Sequence, residues 1–256
     1  MDLEYLPVVV ATFGVSASLY YFISPMISEY ICSGYRKLTQ EQQVDWNTRT
    51  ISTLHSLIVS SLCVYILLYD EDSQKNPIWC KCKLPKYNCA ITAGYVLADL
   101  MIMLCHFPLS EALFYILHHL AAVYAYTYTL LYGALPYFAN FRLIAELSTP
   151  FVNERWFLDV LGYPKNNPYL IFNGVAMSVS FFLVRIAVMP IYYYTMYSVW
   201  ATPEFYQLSL GMRVAWVLAS AILDVINVYW FMKIYRGLKK LLLKKNNPSI
   251  NNKKAA

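Results

Sequence analysis

The chain has 256 residues, of which 59% are hydrophobic and only 14% charged, with 24 Tyr and 6 Trp and a mean hydropathy of +0.42. A soluble domain of this size exposes too much surface to be covered by so few charges, and the same numbers exclude intrinsic disorder, collagen and a disulfide-dense scaffold. The formal charge of +5 belongs to one end: without Lys233, Arg236, Lys239, Lys240, Lys244, Lys245, Lys253 and Lys254, 12 basic residues face 15 acidic ones, a balance of −3. These bases follow the last apolar segment and are not interleaved with aromatics on a folded face, which excludes nucleic acid as a partner.

A membrane-spanning helix needs about 20 predominantly apolar residues. Residues 6–27 carry no charge and predict a first span. Asp2 and Glu4 stand where a signal peptide would be basic, so the run reads as a signal-anchor-like helix. Residues 51–69 are also uncharged, and 89–108 contain only Asp99. Residues 112–141 are too long for one helix, and Gly133-Ala-Leu-Pro136 predicts a break within them. A fourth span precedes that break. A polar fifth follows it, through Arg142 and Glu146 toward Asn153. Residues 169–194, with Arg185, and 214–232, with Asp224, complete the set. The expectation is an all-α integral membrane protein of seven spans; a re-entrant fifth segment would leave six.

The basic tail sets the C-terminus in the cytosol by the positive-inside rule, and seven spans then put the N-terminus in the lumen. Arg36, Lys37, Arg49, Arg155 and Lys165 fall on the cytosolic side, while Asp70-Glu71-Asp72 opens a lumenal loop shared with Lys75, Lys81, Lys83 and Lys86. That loop region holds Cys80, Cys82 and Cys89, for which a Cys82–Cys89 disulfide is an expectation. The set lacks the fourth ligand of a zinc site, and no metal is expected. With eight glycines and no phosphate-binding loop, no nucleotide or other cofactor is expected either. Lys253-Lys254-Ala255-Ala256 has the form of a dilysine address, read by a coat-type retrieval receptor that returns membrane proteins to the endoplasmic reticulum.

Ionisable residues at membrane depth cost about 2.5–3.5 kcal/mol each on insertion scales and so face a bundle interior or a cavity. Arg142, Glu146, Thr149 and Asn153 recur on one helix face, as do Thr48, Ser52 and His55, and Arg213, Ser220, Asp224 and Asn227. These three stripes predict a shared polar-lined cavity. Within it, Arg142 can pair with Glu146 along their helix, and Arg185 can pair with Asp99 or Asp224. The adjacent His118 and His119 diverge by about 100°, so one can reach the cavity while the other bonds to a neighbouring helix. An imidazole is a competent general base or acyl carrier.

Residues His118-His119, the string Asn140-Phe-Arg142-Leu-Ile-Ala-Glu146-Leu-Ser-Thr-Pro-Phe-Val-Asn153-Glu-Arg155-Trp156-Phe157-Leu158, the segment Trp46-Asn-Thr-Arg49-Thr-Ile-Ser-Thr-Leu-His55-Ser and the segment Leu223-Asp224-Val-Ile-Asn227-Val-Tyr-Trp230 resemble the TLC domain superfamily. Ceramide synthases and the translocating-chain-associated membrane proteins belong to it. The resemblance implies a six-helix bundle around an intramembrane cavity, plus one N-terminal helix. Its domains would be an N-terminal span and cytosolic connection at 1–38, a TLC domain at 39–244 and a basic cytosolic tail at 245–256. It also implies the endoplasmic reticulum and a role in membrane lipid homeostasis. In ceramide synthases the paired histidines are essential to acyl transfer from acyl-CoA. Those enzymes follow the pair with a further histidine and closely spaced aspartates, where this chain has Arg142, Glu146 and Asn153, so sphingoid-base N-acylation is not implied.

Two readings follow. In the first, acyl-CoA is a co-substrate and an acyl group passes to a lipid acceptor, with His118 or His119 as base or acyl carrier and Glu146 or Asp224 orienting it. His55, Asp99, Arg142, Asn153, Arg155, Arg185 and Asn227 line the lipid and acyl-CoA site, with Arg142 or Arg155 drawing a head group or the CoA phosphates. In the second, the chain is a non-catalytic lipid-binding regulator or chaperone. Either is compatible with a homo-oligomer.

Overall fold

The computed structural model describes residues 3–246, by backbone alone at 109–112 and 241–246; Lys253-Lys254 lies outside the described residues. Among them there is no strand. The elements are α1 (Leu6–Ser18), α2 (Ser24–Ile31), α3 (Gln40–Tyr69), α4 (Glu71–Lys75), α5 (Lys83–His106), α6 (Leu109–Tyr132), α7 (Pro136–Leu143), α8 (Thr149–Val160), α9 (Pro168–Phe181), α10 (Met189–Ser198), α11 (Pro203–Tyr206) and α12 (Leu210–Asn246).

Among the described residues, five helical runs are long and apolar enough to cross a bilayer: Leu6–Ile31, Gln40–Tyr69, Lys83–His106, Pro168–Ser198 and Leu210–Lys240. The segments of the other two expected passes are helical but depart from a plain apolar rod. The α6 helix has 24 residues, yet carries both paired histidines and five tyrosines. The segment expected as a polar fifth pass is α7 and α8 joined by a 3-10 turn at Ile144–Ser148. Pro150 causes the joint, because it has no N–H to donate and its ring crowds the preceding turn. The break expected after α6 is sharp: Gly133 and Leu135 both take left-handed φ values, 68° and 60°. Two other passes contain a single π turn, Leu19–Ile23 between α1 and α2 and Phe182–Ile186 between α9 and α10. Each lies just before a proline, Pro25 and Pro190.

The helix ends gather at two poles. At one, Lys83 meets Glu4 at 3.5 Å, the Ile78 carbonyl accepts from Leu135 N at 2.7 Å and the Trp79 indole donates to the Glu204 carbonyl at 2.8 Å. Here Ile78, Leu135, Phe138, Phe205, Leu208 and Trp216 bury one another beneath the connections. We call this the loop pole. At the opposite tail pole, Leu161 packs on Gly34 and α3 begins with a capping box between Thr39 and Gln42. In the loop-pole segment Cys80 pairs with Cys82 as a disulfide. The expected Cys82–Cys89 bridge does not form, because Cys89 lies inside α5, fully buried and free.

The α5 helix is the most enclosed of the five apolar runs, 61% buried against 39% or less for the others. Its small residues Ala90, Gly94 and Ala98 repeat every fourth position, the spacing that lets two membrane helices approach backbone to backbone. The approach is realised at Gly94, where an added Cβ would stand 2.4 Å from the Val9 carbonyl oxygen and 3.0 Å from Phe13 N of α1. Gly94→Val is therefore expected to cost about 1–3 kcal/mol and lift α1 off α5. A lower midpoint in detergent thermal denaturation and new protease cleavage between α2 and α3 would report this. Gly14→Val is the control, since nothing lies within 4 Å of its Cβ position; equal losses from both would refute the close approach.

Candidate functional site

The polar residues read from the sequence converge at membrane depth, and almost all of them meet partners on other helices. Nearest the loop pole, Arg142 of α7 forks onto both carboxylate oxygens of Asp224 of α12. Its guanidinium also lies over the Tyr192 ring at 3.8 Å. The Tyr193 hydroxyl donates to Asp224 Oδ2 at 2.6 Å, while Tyr192 Oη joins Ser220 Oγ and accepts from the Trp216 indole, both at 2.9 Å. A bidentate arginine–carboxylate pair with a tyrosine on the remaining lone pair is the geometry in which a buried ion pair can offset its desolvation.

One layer deeper, Arg185 projects from the π turn. It donates to Ser148 Oγ at 2.9 Å, Asn227 Oδ1 at 3.1 Å and Thr149 Oγ1 at 3.3 Å, and lies 4.9 Å from the Phe181 ring. The expected pairing of Arg185 with Asp99 or Asp224 does not occur: neutral oxygens surround it. The expected Arg142–Glu146 pair is absent too. The 3-10 turn winds by about 120° per residue in place of 100°, so Glu146 leaves the Arg142 face and accepts from Thr149 Oγ1 at 2.8 Å. It stays within electrostatic reach of His119 and Arg185.

The histidines separate as their divergence requires. His119 Nε2 is 2.9 Å from Asp99 Oδ2 of α5, and His119 Nδ1 is 2.8 Å from the Tyr115 carbonyl one turn back. The carboxylate against the histidine pair is thus Asp99, and neither Glu146 nor Asp224 orients it. Both neighbours of the His119 ring are acceptors, and a neutral imidazole has one N–H. Both of its nitrogens are therefore engaged, and this histidine has none free to take a substrate proton. His118 differs. Its ring lies edge-on to His119 at 5.6 Å and 5.6 Å from Trp230 of α12, and its buried Nδ1 has no hydrogen-bond partner. The ring is half-buried in the seam where Phe114 stacks on Tyr229 and Tyr115 on Trp230. His55 of α3 is buried and stacked on Tyr95 of α5 at 3.9 Å, one turn from Asp99 on the same face of α5.

Toward the tail pole, Asn153 of α8 bonds to α3 through the Arg49 carbonyl, Thr53 Oγ1 and the Arg49 side chain. Arg49 also meets Asp45 at 2.9 Å and covers Trp156 at 4.8 Å. Arg155 reaches Asp159 at 3.2 Å and the Leu170 carbonyl at 3.3 Å. Asn153 is thereby a helix-to-helix clamp, and Asn227 is a ligand of Arg185; neither faces open space.

The cavity between α6, α7, α10 and α12 leaves about 60 Å³ open, room for a few waters at roughly 10–15 Å³ each. Thr129, Arg142, Tyr192 and Ser220 supply its polar wall, and the rest is apolar, with Ala134, Leu135, Phe138, Met212, Ala219 and Leu223 among it. The interior is polar chiefly through residues that bond to one another, and the histidines do not line this cavity. No cluster of three or more His, Cys, Asp or Glu among the described residues could hold a metal.

Sequence reasoning missed the partners Tyr193, Tyr95 and Trp230, and a buried hub at Asn140. The Asn140 amide accepts from Asn88 at 3.0 Å and donates to the Pro85 and Pro136 carbonyls at 2.8 and 2.9 Å. A signal for the hub was present: Asn140 stands inside the apolar run 112–141 and Asn88 directly before the run 89–108; both are fully buried.

The chain was compared with known proteins. A family profile described as the TLC domain matches residues 45–236. TLC domain-containing protein 4-B of Danio rerio is 45% identical over 242 residues, covering 94% of this chain and 92% of that one. TLC domain-containing protein 4 of Homo sapiens is 42% identical over 224 residues, covering 88% and 85%. Topoisomerase I damage affected protein 4 of Saccharomyces cerevisiae is 26% identical over 204 residues, covering 78% and 71%.

Proposed function

We propose, for a chain that belongs to the TLC domain family, that it acts in membrane lipid homeostasis by passing an acyl group from acyl-CoA to a lipid acceptor, with His118 as the reacting histidine. The observation that carries this is the unpartnered Nδ1 of His118 beside a His119 whose two ring nitrogens are both engaged, one of them by Asp99. As the acceptor hydroxyl or amine attacks the thioester carbonyl, Nδ1 takes its proton. The C–S bond breaks, CoA leaves as a thiolate, and the proton passes from His118 to that sulfur. In the covalent variant the imidazole nitrogen bonds to the acyl carbon first, CoA leaves, and the acceptor then displaces the ring. General base catalysis of this kind contributes about 10²–10⁴-fold.

His119 and Asp99 fix the α6–α5 register that holds His118 in the seam. Arg142 is consumed by Asp224 and is no longer a candidate for the CoA phosphates. The seam of Phe114, Tyr115, Tyr229 and Trp230 opens on the outer surface of the bundle, a route by which a lipid enters from the bilayer plane. The enzyme would reside in the endoplasmic reticulum with the tail pole in the cytosol. In support, Arg36, Lys37, Lys165 and the basic stretch of α12 belong to that pole. Lys253-Lys254 would then be available to a retrieval receptor.

A second reading, a lipid-binding regulator without chemistry, is favoured by one observation: Arg142, Asp224 and Arg185 are bound to residues of neighbouring helices, as in a scaffold, with Arg142 Nε left unpaired. Purified protein given a panel of acyl-CoAs and microsomal lipid separates the two. Transfer by the native protein that His118→Ala abolishes is the expected result. No transfer across the panel, with a lipid co-purifying stoichiometrically by mass spectrometry, would sink the catalytic reading.

A further inference from the structure

A second cleft opens near the tail pole, away from the histidines. Arg155 of α8, Gly174 and Met177 of α9, and Lys233, Gly237 and Leu238 of α12 line it. Its volume of about 270 Å³ exceeds that of the central cavity several-fold. At 1.5 Å per residue Lys233 lies about 35 Å along α12 from Leu210, at the far edge of a hydrocarbon core about 30 Å thick. The cleft is therefore at the level of lipid head groups, with its apolar residues Met177 and Leu238 beside its cations.

The charge around it is uncompensated. Asp159 is shared by Arg155 at 3.2 Å and Lys165 at 2.6 Å. With Lys233 that makes three cations against one carboxylate. Lys233 meets no carboxylate among the described residues, and its ammonium lies 4.6 Å over the Tyr229 ring. Arg155 uses Nε and Nη1 on Asp159 and the Leu170 carbonyl, leaving Nη2 for a further acceptor. Two glycines open the wall. At Gly237, on the exposed face of α12, an added Cβ would meet nothing within 4 Å, so the backbone can be approached closely there.

We propose that this cleft binds the phosphate of an anionic phospholipid of the tail-side leaflet, held between Lys233 and Arg155, with its glycerol and upper acyl chain along Met177 and Leu238. Basic pockets between membrane helices at this depth recognise anionic head groups, each cation contributing roughly a five-fold gain in retention. The site shares Arg155 with the residues expected to draw the CoA phosphates, and Lys233 lies on Tyr229 of the seam, but none of its residues touches His118, His119 or Asp99, and lipid retention is read without turnover, so either reading can fail without the other.

The test uses the full chain in detergent, offered equal amounts of dioctanoyl phosphatidic acid and dioctanoyl phosphatidylcholine, with retained lipid read by native mass spectrometry. Phosphatidic acid is expected to be retained in preference. Lys233→Gln should reduce its retention about five-fold. Gly237→Leu, which keeps every charge, fills open space and improves helix propensity, should reduce it at least as far. Lys239→Gln, the same charge change on the same helix outside the cleft, should leave it unaltered. Equal retention of both lipids, equal losses from Lys233→Gln and Lys239→Gln, or displacement of phosphatidic acid by inorganic phosphate or free CoA at equal concentration would each overturn the proposal.

Discussion

Asp224→Ala is expected to destabilise the bundle by about 3–5 kcal/mol, the cost of leaving one member of a buried ion pair uncompensated. The guanidinium of Arg142 would keep its place over Tyr192 but lose both of its hydrogen bonds to the carboxylate, and the Tyr193 hydroxyl would lose its acceptor. The adjoining cavity has room for only a few waters to replace them. The double substitution Arg142→Met, Asp224→Leu should recover most of the loss, since apolar residues of similar volume often match a buried pair in stability. Thermal denaturation in a fixed detergent measures both. If the single substitution costs under about 1 kcal/mol, the typical range for polar contacts between membrane helices, the pair is not the lock it is taken for here.

The largest effect on turnover is expected from His118→Ala, a fall of about 10²–10⁴ in acyl transfer, equivalent to roughly 3–5.5 kcal/mol of barrier. His119→Ala and Asp99→Asn should act more weakly, about 10–100-fold, as residues that hold another in place. Their signature is a loss in kcat with KM unchanged. Added imidazole should restore part of the activity of His118→Gly and none of that of His119→Gly. A larger loss from His119→Ala than from His118→Ala, or imidazole rescue at position 119, would reverse the assignment of roles.

How much of this was legible from the residues differs by level. Long uncharged runs dictate membrane helices, so the helical passes and the break at Gly133–Pro136 followed from hydropathy and turn chemistry. Periodicity also identified Arg142, Asp224, Asn227 and Asn153 as inward residues. What it could not supply is which inward face meets which. Arg142 and Glu146 are four apart, and only the 3-10 turn induced at Pro150 separates them. Asp99 was visible as an isolated acid, yet its meeting with His119 depends on the packing of α5 against α6. Arg185 found neutral oxygens, and not a carboxylate, because the π turn swings it toward Ser148 and Thr149. The cysteine pairing turned on where α5 begins: once Lys83 starts the helix, Cys89 is committed to the interior and Cys82 is left with Cys80.

The α12 helix is continuous from Leu210 to Asn246, with no proline and no π turn, whereas the pass before it is jointed at Arg185. Asp224 and Lys233 lie on that one rod, about two and a half turns apart. With no joint between them, a displacement of the tail end on binding a head group would be carried along the rod toward the Arg142–Asp224 bond. It would move Trp230, the residue against which His118 rests. Occupancy of the proposed head-group cleft and the setting of the histidine would in that case be geared through a single lever.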